Sequence, residues 1–441
     1  MLGMMIVGII FFFLSLGIIG AFVSLAKQEK VVEIKNNSVL ALTFKRPIKD
    51  RKPSMPFLNL RFLSFKPRSS IGLNEILNNI EKAKNDTKIK GIYLDMSSIQ
   101  AGIGTIEEIR DALLDFKESG KFIISYSDFY LQPAYYLASV ADEIYLNPEG
   151  MLFMKGLRVE IMFFSETFHK LGIEPQIVRH GEFKSAVEPF TDKSMSDENR
   201  IQIKAFMGSI WQYIVSNISI ERDVSPEKIN QLADKLELWN PMTAVKEKLI
   251  DSLIYRDEAY DILINKSGQT GKKKPNLVNL TDYNKVQKTR VHKGLIRQKI
   301  AVIYAQGDIV PGDGDLDEIG ANKFVKTIRE ARQDSAIKAI VLRVNSPGGI
   351  SLAAELIWRE VQLASQTKPV IASMGDMAAS GGYYILAPAD TIVASPVSLT
   401  GSIGVYGVWW NARDLYNKKL GITSDVEKTN SYSDFGTTFR H

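Results

Sequence analysis

Ser402 and Lys184 are the two residues of this chain whose types and surroundings could together carry nucleophilic chemistry. Ser402 lies in the segment 400–404, Thr-Gly-Ser-Ile-Gly, whose glycines permit a tight turn and let a substrate backbone approach. A serine hydroxyl needs a base, and a lysine can serve only when it is neutral. Because the usual pKa of lysine is about 10.4, burial would have to lower it by roughly 3 units, which costs about 4 kcal/mol. Apolar neighbours such as Phe183 and Val187 suit that burial of Lys184.

A pair of glycines, Gly348 and Gly349, supplies a third component of the same chemistry. They end the segment Asn-Ser-Pro-Gly-Gly, which follows a predicted strand and precedes a predicted helix. Backbone N–H groups at such a helix start can bind the negative oxygen that forms when a hydroxyl attacks a carbonyl. The segment therefore predicts an oxyanion hole.

These residues lie in a chain that repeats itself. Tyr135 matches Tyr383 and Asp142 matches Asp390, each pair at a separation of 248 positions. An internal repeat of this length indicates two copies of one folding unit. Positions at which the copies agree are expected to hold the fold, and positions at which they differ are candidates for function.

The two copies differ at the residues that could do chemistry. Met154 stands opposite Ser402, and Ser97–Ile99 stand where the second copy has its glycine loop. With a shift of one residue, Lys184 of the first copy faces Ser433 of the second. The first copy therefore supplies the amine and the second copy the alcohol.

Plainer interpretations of the same residues remain open at this point. Lys184 alone is typical of a surface lysine paired with Glu182 or Glu188, and Ser402 alone is typical of a turn serine. The combination with the glycine loop and the duplication favours the catalytic interpretation.

Composition bounds the function classes. The 441 residues include no cysteine and only four histidines, so a thiolate or histidine-rich metal site is not expected. The net charge is +5 with scattered basic residues, which favours a solvated surface over a nucleic-acid patch. We expect no cofactor and no nucleic-acid partner.

The N-terminal stretch is apolar enough to enter a lipid bilayer. Residues 2–26 carry no charge, and 25 residues of helix would span roughly 37 Å at about 1.5 Å per residue. The length and the Phe-rich run favour a retained membrane anchor, residues 1–27, over a cleaved signal peptide. Basic residues follow the span, which by the positive-inside rule alone would place the body in the cytoplasm.

Short apolar strands that alternate with helices predict an α/β fold with a mostly parallel sheet in each copy. We predict a first unit over residues 38–264, a linker over 265–298 and a second unit over 299–441. The second unit has no counterpart of the helical segments that follow Phe190 in the first. We therefore expect it to be incomplete at its C-terminus.

Four segments together resemble signal peptide peptidase A, also called protease IV, in its long duplicated form. The segments are 183–190 (Phe-Lys-Ser-Ala-Val-Glu-Pro-Phe), 346–349 (Ser-Pro-Gly-Gly), 379–384 (Ala-Ser-Gly-Gly-Tyr-Tyr) and 399–404 (Leu-Thr-Gly-Ser-Ile-Gly). The resemblance implies tandem Clp protease/crotonase-like spiral domains of ββα units behind a transmembrane helix. It covers nearly the whole chain.

The same resemblance implies a serine endopeptidase that degrades residual signal peptides in or beside the membrane. In it, Ser402 matches the nucleophile and Lys184 the general base, and Gly348 and Gly349 match the oxyanion hole. Ser424 lies near the position of a second serine that orients the lysine. The family's catalytic body lies on the extracytoplasmic side and assembles as a bowl-like oligomer, by resemblance a tetramer.

Three alternatives are open. Ser380 is a rival nucleophile, because residues 378–382 resemble the Clp protease segment that carries its serine, with His180 as a conceivable base. A crotonase acting on a coenzyme A thioester would use the same oxyanion geometry with carboxylates as acid and base. A membrane-anchored scaffold with a degenerate site is the third alternative.

Overall fold

The computed structural model describes residues 33–52, 70–286 and 298–439. The predicted membrane anchor, residues 1–27, lies outside the described residues. Among those described, no helix is both long and apolar enough to cross a membrane. The described residues form two α/β units that follow each other along the chain.

The first unit contains the strands β1 (Ser38–Leu42), β2 (Ile48–Lys49), β3 (Ile71–Gly72), β4 (Ile89–Asp95), β5 (Phe122–Ser127), β6 (Tyr130–Leu131), β7 (Glu143–Leu146), β8 (Leu152–Phe153), β9 (Glu174–Arg179), β10 (Ser252–Leu253) and β11 (Leu277–Asn279). Six of them form one parallel sheet in the order β10-β7-β5-β4-β1-β11. Two short parallel pairs, β2 with β3 and β6 with β8, lie outside it. The predicted α/β fold with mostly parallel pairing is confirmed for this unit.

The helices of the first unit are α1 (Leu73–Asn85), α2 (Ile103–Lys117), α3 (Gln132–Ala138), α4 (Ser165–Leu171), α5 (Glu188–Thr191), α6 (Asp197–Arg222), α7 (Pro226–Asp234), α8 (Pro241–Lys246), α9 (Arg256–Lys266) and α10 (Leu280–Asn284). Helix α1 buries Ile76, Ile80 and Ala83, a helical spacing that turns one apolar stripe towards the sheet. Strand β4 is buried at five of its seven residues because both of its faces are covered: Ile92 packs in the main core, and Tyr93 packs in the cluster that includes residues of α9.

The second unit contains the strands β12 (Lys299–Gln306), β13 (Asp308–Val310), β14 (Glu318–Gly320), β15 (Ile337–Ser346), β16 (Val370–Ala379), β17 (Thr391–Val393), β18 (Leu399–Gly401) and β19 (Tyr406–Asn411), and the helices α11 (Ala321–Gln333), α12 (Ser351–Ser365) and α13 (Gly381–Leu386). Its main sheet is parallel in the order β12-β15-β16-β17, and β18 pairs with the C-terminal end of β16. The second unit thus repeats the parallel architecture of the first.

Matched residues hold matched turns in the two units. The carboxylate of Asp142 accepts a hydrogen bond from the Ile123 N–H at 2.7 Å, and that of Asp390 accepts one from the Val370 N–H at 2.7 Å. The N–H of each aspartate donates back to the carbonyl of the same partner, at 2.9 Å. The aspartates that revealed the repeat therefore fix one strand connection in each copy.

The predicted linker, residues 265–298, differs from the structure in its middle part. Strand β11 pairs with β1, with Val278 opposite Leu40, and so becomes the edge of the first sheet. Leu280 and Tyr283 of α10 are buried in the first core. The reason is that β11 extends the first sheet by one strand and that the apolar residues of α10 bury their side chains in the first core.

One antiparallel pair joins the units. Strand β9 of the first unit pairs with β19 of the second, from Tyr406 opposite Arg179 to Asn411 opposite Glu174. The ring of Trp410 packs 5.0 Å from that of Phe168 and 5.4 Å from that of Phe190, between centroids. The chain that follows β9 is therefore held against the second unit.

Candidate active site

Lys184 is a buried lysine at the junction of the two units. It lies five residues after the end of β9, where its N–H donates to the Gly181 carbonyl at 3.2 Å and a short 3₁₀ turn, Ser185–Val187, begins. Only 4% of Lys184 is exposed, and burial lowers its pKa below the usual value. Burial disfavours the charged form of an amine, which is the change that a lysine base requires.

The Lys184 ammonium nitrogen contacts both candidate serines. Its Nζ lies 2.9 Å from Ser402 Oγ and 2.6 Å from the Ser402 carbonyl oxygen. It also lies 3.3 Å from Ser380 Oγ. The structure thus brings an amine of the first unit to two hydroxyls of the second unit within one chain.

The nearby carboxylate of Glu188 does not neutralise this lysine. Glu188 is buried, and it accepts hydrogen bonds from Ser196 Oγ at 2.6 Å and from Asn199 Nδ2 at 2.7 Å. Among the described residues, Lys184 forms no ion pair with a carboxylate. Without an anionic partner, burial alone sets the direction of the pKa change. The surface ion pair that the sequence also allowed is not what the structure contains.

Ser402 follows β18 and holds the lysine through two of its own atoms. Its backbone has φ of +52°, in the left-handed region, and the preceding Gly401 has φ of +90°. Gly404 is needed because a Cβ there would lie 2.8 Å from the His180 carbonyl oxygen. These two segments are also joined by a hydrogen bond from the His180 N–H to the Val405 carbonyl oxygen, at 3.1 Å. The exposed His180 thus contributes its backbone to the site.

Ser380 lies where β16 ends and α13 begins. Its φ of +52° and ψ of −120° are a conformation that residues with a side chain rarely adopt. Strain of this kind clusters at functional sites, and a sharp turn from strand to helix is how many hydrolases expose a nucleophilic serine. The Ser380 N–H donates to the Gly401 carbonyl at 2.8 Å, which fixes the two serine segments side by side.

The glycine loop packs against Ser380. Gly348 and Gly349 have φ of +105° and +155°, and a Cβ on Gly348 would lie 2.9 Å from Ser380 Cβ and 2.7 Å from the Gly381 nitrogen. A Cβ on Gly381 would in turn lie 3.3 Å from the Gly349 nitrogen. Gly348 therefore permits this close approach of two backbones, and a side chain at Gly381 would crowd it.

Two backbone N–H groups beside Ser380 are available to a ligand. The Gly381 N–H opens α13 and so has no acceptor within its own helix. In the described part of the chain, Gly349 donates no hydrogen bond, whereas the Gly348 N–H is taken by Ser346 Oγ at 3.1 Å. The candidate oxyanion donors are therefore Gly349 and Gly381, and the sequence analysis missed Gly381.

From the sequence, the hole is expected to serve Ser402, whereas in the structure the glycine loop lies against Ser380. The physical reason is the pairing of β16 with β18, which aligns Ala379 with Gly401 and leaves Ser380 at the helix start. A sequence signal existed, because Gln132 stands 248 positions before Ser380. The copies therefore differ at this serine as well.

Ser424 does not lie where the sequence analysis expected it. It is exposed in the irregular segment 421–428, and no hydrogen bond joins it to Lys184 in the described residues. The orienting contacts predicted for Ser424 are made by Ser402. The prediction rested on proximity in sequence, whereas the register between β16 and β18 decides which serine meets the lysine.

The described residues include no group of three or more His, Asp and Glu side chains that could hold a metal ion. What the arrangement can do chemically is transfer a proton from a serine hydroxyl to a neutral amine, next to two N–H groups that can bind an oxyanion.

Comparison with known proteins identifies the family. The model of peptidase family S49 matches residues 115–269 and 362–441. The chain is 37% identical to "Protease 4" of Haemophilus influenzae over 79% of its length, and 35% identical to "Serine protease SPPA, chloroplastic" of Arabidopsis thaliana over 91%. It is 36% identical to "Protease 4" of Salmonella typhi over 83%.

The chain spans about three fifths of the length of these relatives: 58% of the first two and 60% of the third. The segments matched by the family model include both Lys184 and the two serines that it contacts. This chain belongs to peptidase family S49.

Proposed function

We propose that this chain is a serine endopeptidase whose nucleophile is Ser380 and whose general base is Lys184. The observation that carries the proposal is a lysine amine that is buried without a carboxylate partner and lies 3.3 Å from Ser380 Oγ. Ser402 orients that amine, and the N–H groups of Gly349 and Gly381 receive the oxyanion. No cofactor takes part.

Two features favour Ser380 over Ser402 as the nucleophile. Ser380 adjoins the glycine loop and the start of α13, so a carbonyl attacked there has donors for its oxygen. Ser402 binds Lys184 with both its hydroxyl and its carbonyl, which is the geometry of a residue that fixes the direction of an amine. A 3.3 Å contact can shorten when substrate binds, since catalytic hydrogen bonds are often long in empty sites.

The reaction follows from these positions. Neutral Lys184 accepts the Ser380 hydroxyl proton as Oγ bonds to the scissile carbonyl carbon, and the carbonyl oxygen becomes an anion held by the two N–H groups. The carbon–nitrogen bond then breaks, and the Lys184 ammonium returns its proton to the leaving amine. Lys184 next takes a proton from water as the water oxygen attacks the ester carbon. The Lys184 ammonium then returns that proton to Ser380 Oγ as the carbon–Oγ bond breaks and the acid leaves.

We propose apolar, extended peptides as substrates, including residual signal peptides. Large apolar side chains near the serine–lysine pair support this preference: Phe183, Ile403, Val405 and Tyr406 are all exposed. The proposal includes a membrane anchor in residues 2–26, a catalytic body on the extracytoplasmic side and a homo-oligomer, with the tetramer implied by the family resemblance. An anchored enzyme would meet peptides that leave the bilayer.

Alanine variants of the full chain test the assignment with an apolar fluorogenic peptide. We expect Ser380→Ala and Lys184→Ala to lose at least about 10³-fold in kcat/KM. Ser402→Ala should lose about 10- to 100-fold, because the base is still present but less well oriented. Ser433→Ala is the matched control, since among the described residues this exposed serine forms its hydrogen bonds with Asn430, within its own turn.

The two serine variants decide between the assignments. Near-complete loss in Ser402→Ala with activity retained in Ser380→Ala would restore the nucleophile that the sequence analysis predicts. Absence of turnover in the wild-type chain would favour the scaffold interpretation, and binding of coenzyme A without peptide cleavage would favour the thioester interpretation.

A further inference from the structure

Asp376 joins the second unit, which contains Ser380 and Ser402, to the first unit. It lies in β16, four residues before Ser380, and its side chain crosses to α2 of the first unit. Its Oδ1 accepts a hydrogen bond from the Thr105 N–H at 2.7 Å, and its Oδ2 accepts one from Thr105 Oγ1 at 2.8 Å. Thr105 is 1% exposed, so this contact between the units is shielded from water.

The carboxylate of Asp376 occupies the place of a missing N-cap. Helix α2 begins after Gly102, which has no side chain to cap it, and its first turn contains no acidic residue. An N-cap side chain normally accepts a hydrogen bond from the third helical N–H, which here belongs to Thr105. A Cβ on Gly102 would overlap the Asp376 carboxyl group, and one on Gly104 would lie 3.2 Å from Oδ1. The two glycines admit a cap from the other unit.

The same carboxylate reaches the oxyanion loop. Oδ2 of Asp376 accepts a hydrogen bond from Asn345 Nδ2 at 3.2 Å, and Asn345 Oδ1 accepts one from the Met377 N–H at 3.3 Å. Asn345 begins the segment that ends in Gly348 and Gly349, and its carbonyl accepts from the Gly307 N–H at 3.0 Å. One carboxylate therefore touches a helix start in the first unit, the root of the glycine loop and the strand that carries Ser380.

A second contact between the units lies two residues upstream in β15. Arg343 donates to the carboxylates of Asp50, at 3.0 Å, and Glu108, both from the first unit. Arg343 and Asp50 are buried, so the strand that leads into the glycine loop has a second, water-shielded contact with the first unit two residues before Asn345. Burial raises the pKa of Asp50, and the arginine opposes that rise.

We propose that Asp376 is a positioning residue, a clamp by which the first unit holds the Asn345–Gly349 loop in register with Ser380. The proposal rests on the proposed peptidase function for its kinetic consequences and on geometry alone for its structural ones. In the first unit, the start of α2 corresponds to the helix start that would form an oxyanion hole in an active copy. The first unit, which has Gln132 and Met154 at the positions of the two serines, thus uses this helix start to bind a carboxylate of its neighbour.

Kinetics of Asp376→Ala, Asn345→Ala and the double variant, all in the full chain, test the clamp. We expect each single variant to lose about 10- to 100-fold in kcat with KM changed less than about twofold, because the loop moves relative to Ser380 while the peptide-binding surface is kept. The double variant should be no slower than the slower single variant, since both break one connection. Asp128→Ala is the matched control, because Asp128 occupies the equivalent position in the first unit and pairs with Arg256 and Tyr126.

Hydrogen exchange separates this clamp from the peptidase proposal. Amides of residues 345–352 should exchange faster in Asp376→Ala than in the wild type and in Asp128→Ala, whether or not the chain cleaves peptides. Unchanged exchange in 345–352, or losses in kcat that multiply in the double variant, would overturn the clamp. If the alanine variant does not fold, Asp376→Asn keeps the shape and one acceptor oxygen but turns an amide donor towards its partners, and the same two readouts apply.

Discussion

Equivalent positions of the two units carry different side chains on similar parallel sheets. Where the second unit has Ser380 at the start of α13, the first has Gln132 at the start of α3. The Gln132 side chain accepts hydrogen bonds from the N–H groups of Lys155 and Gly156. Where the second unit has Ser402, the first has Met154, which is buried in the core. In the first unit, the Gln132 side chain is thus occupied by the backbone next to Met154, and the Met154 side chain fills the core. The fold survives because its strand pairing and turn aspartates do not depend on the reactive residues.

The comparison also shows what the first unit contributes. It supplies Lys184 through β9 and binds Asp376 through the start of α2. Arg343 in the second unit takes the sheet position of Asp95, which in the first unit pairs with Arg256 of α9 at 2.8 Å. An internal ion pair of one copy has thus become a contact between the copies in the other. Under the proposed function, both units therefore contribute residues to one site.

The largest expected effect comes from removing the amine that only the first unit supplies. Lys184→Met should lower kcat/KM by about 10³- to 10⁶-fold, and Lys184→Arg should do so equally, because a guanidinium stays charged. Lys193→Met is the control, since this exposed lysine pairs with Glu166. Steady-state assays on an apolar peptide measure the effect. Full activity of either Lys184 variant would show that the second unit works without the first.

A smaller effect is expected where the copies share a glycine but not its surroundings. In Gly404→Ala the new Cβ would lie 2.8 Å from the His180 carbonyl oxygen and 3.8 Å from Lys184 Cδ, at a φ of +126°. We expect a loss of about 10- to 100-fold in kcat, because the lysine is displaced. Gly156→Ala at the equivalent position has φ of +81° and open space around the Cβ. It should keep kcat, and equal losses in the two variants would show that only backbone strain matters.

The pH dependence of the reaction should follow the proton on Lys184. Burial lowers the pKa of this lysine, so its neutral, active form increases as the pH rises through that lowered value. We expect kcat/KM to rise up to about tenfold per pH unit and to level off below the usual pKa of about 10.4. Measurements from pH 6 to pH 10 on the wild type and on Ser402→Ala would show it. A flat profile for the wild type would remove Lys184 from the role of base.

Much of the scaffold could be predicted from the sequence, together with the burial of Lys184. The buried strands and the repeat are patterns that can be recognised in the sequence itself. Lys184 stands among apolar residues, which favour its burial. The choice between Ser380 and Ser402 is not local, because both lie beside glycines and only the register of β16 against β18 places one at a helix start. The role of Ser424 is predicted only from its position in the sequence. Strand β11 is not predicted, because its short apolar run follows a segment rich in polar residues. Long-range pairing decided each of these.

The smallest expected effect is on stability. Replacement of Lys184 by methionine should raise the free energy of unfolding at pH 7, although it lowers activity. Below its lowered pKa, Lys184 is charged in both the folded and the unfolded chain, so the folded state bears the full cost of a buried charge. As the pH rises through that value the folded state releases the proton first, and stability increases until the unfolded lysine also titrates near about 10.4. Lys184→Met should therefore be more stable than the wild type at pH 7, by about 1.4 kcal/mol for each tenfold depression of proton affinity. The advantage should shrink as the pH rises from that lowered value to about 10.4, and it should be smallest above that pH. Urea unfolding at pH 7 and pH 10.5 measures the difference, and a variant less stable at pH 7 would mean that the contacts of the amine with Ser380 and Ser402 outweigh its desolvation.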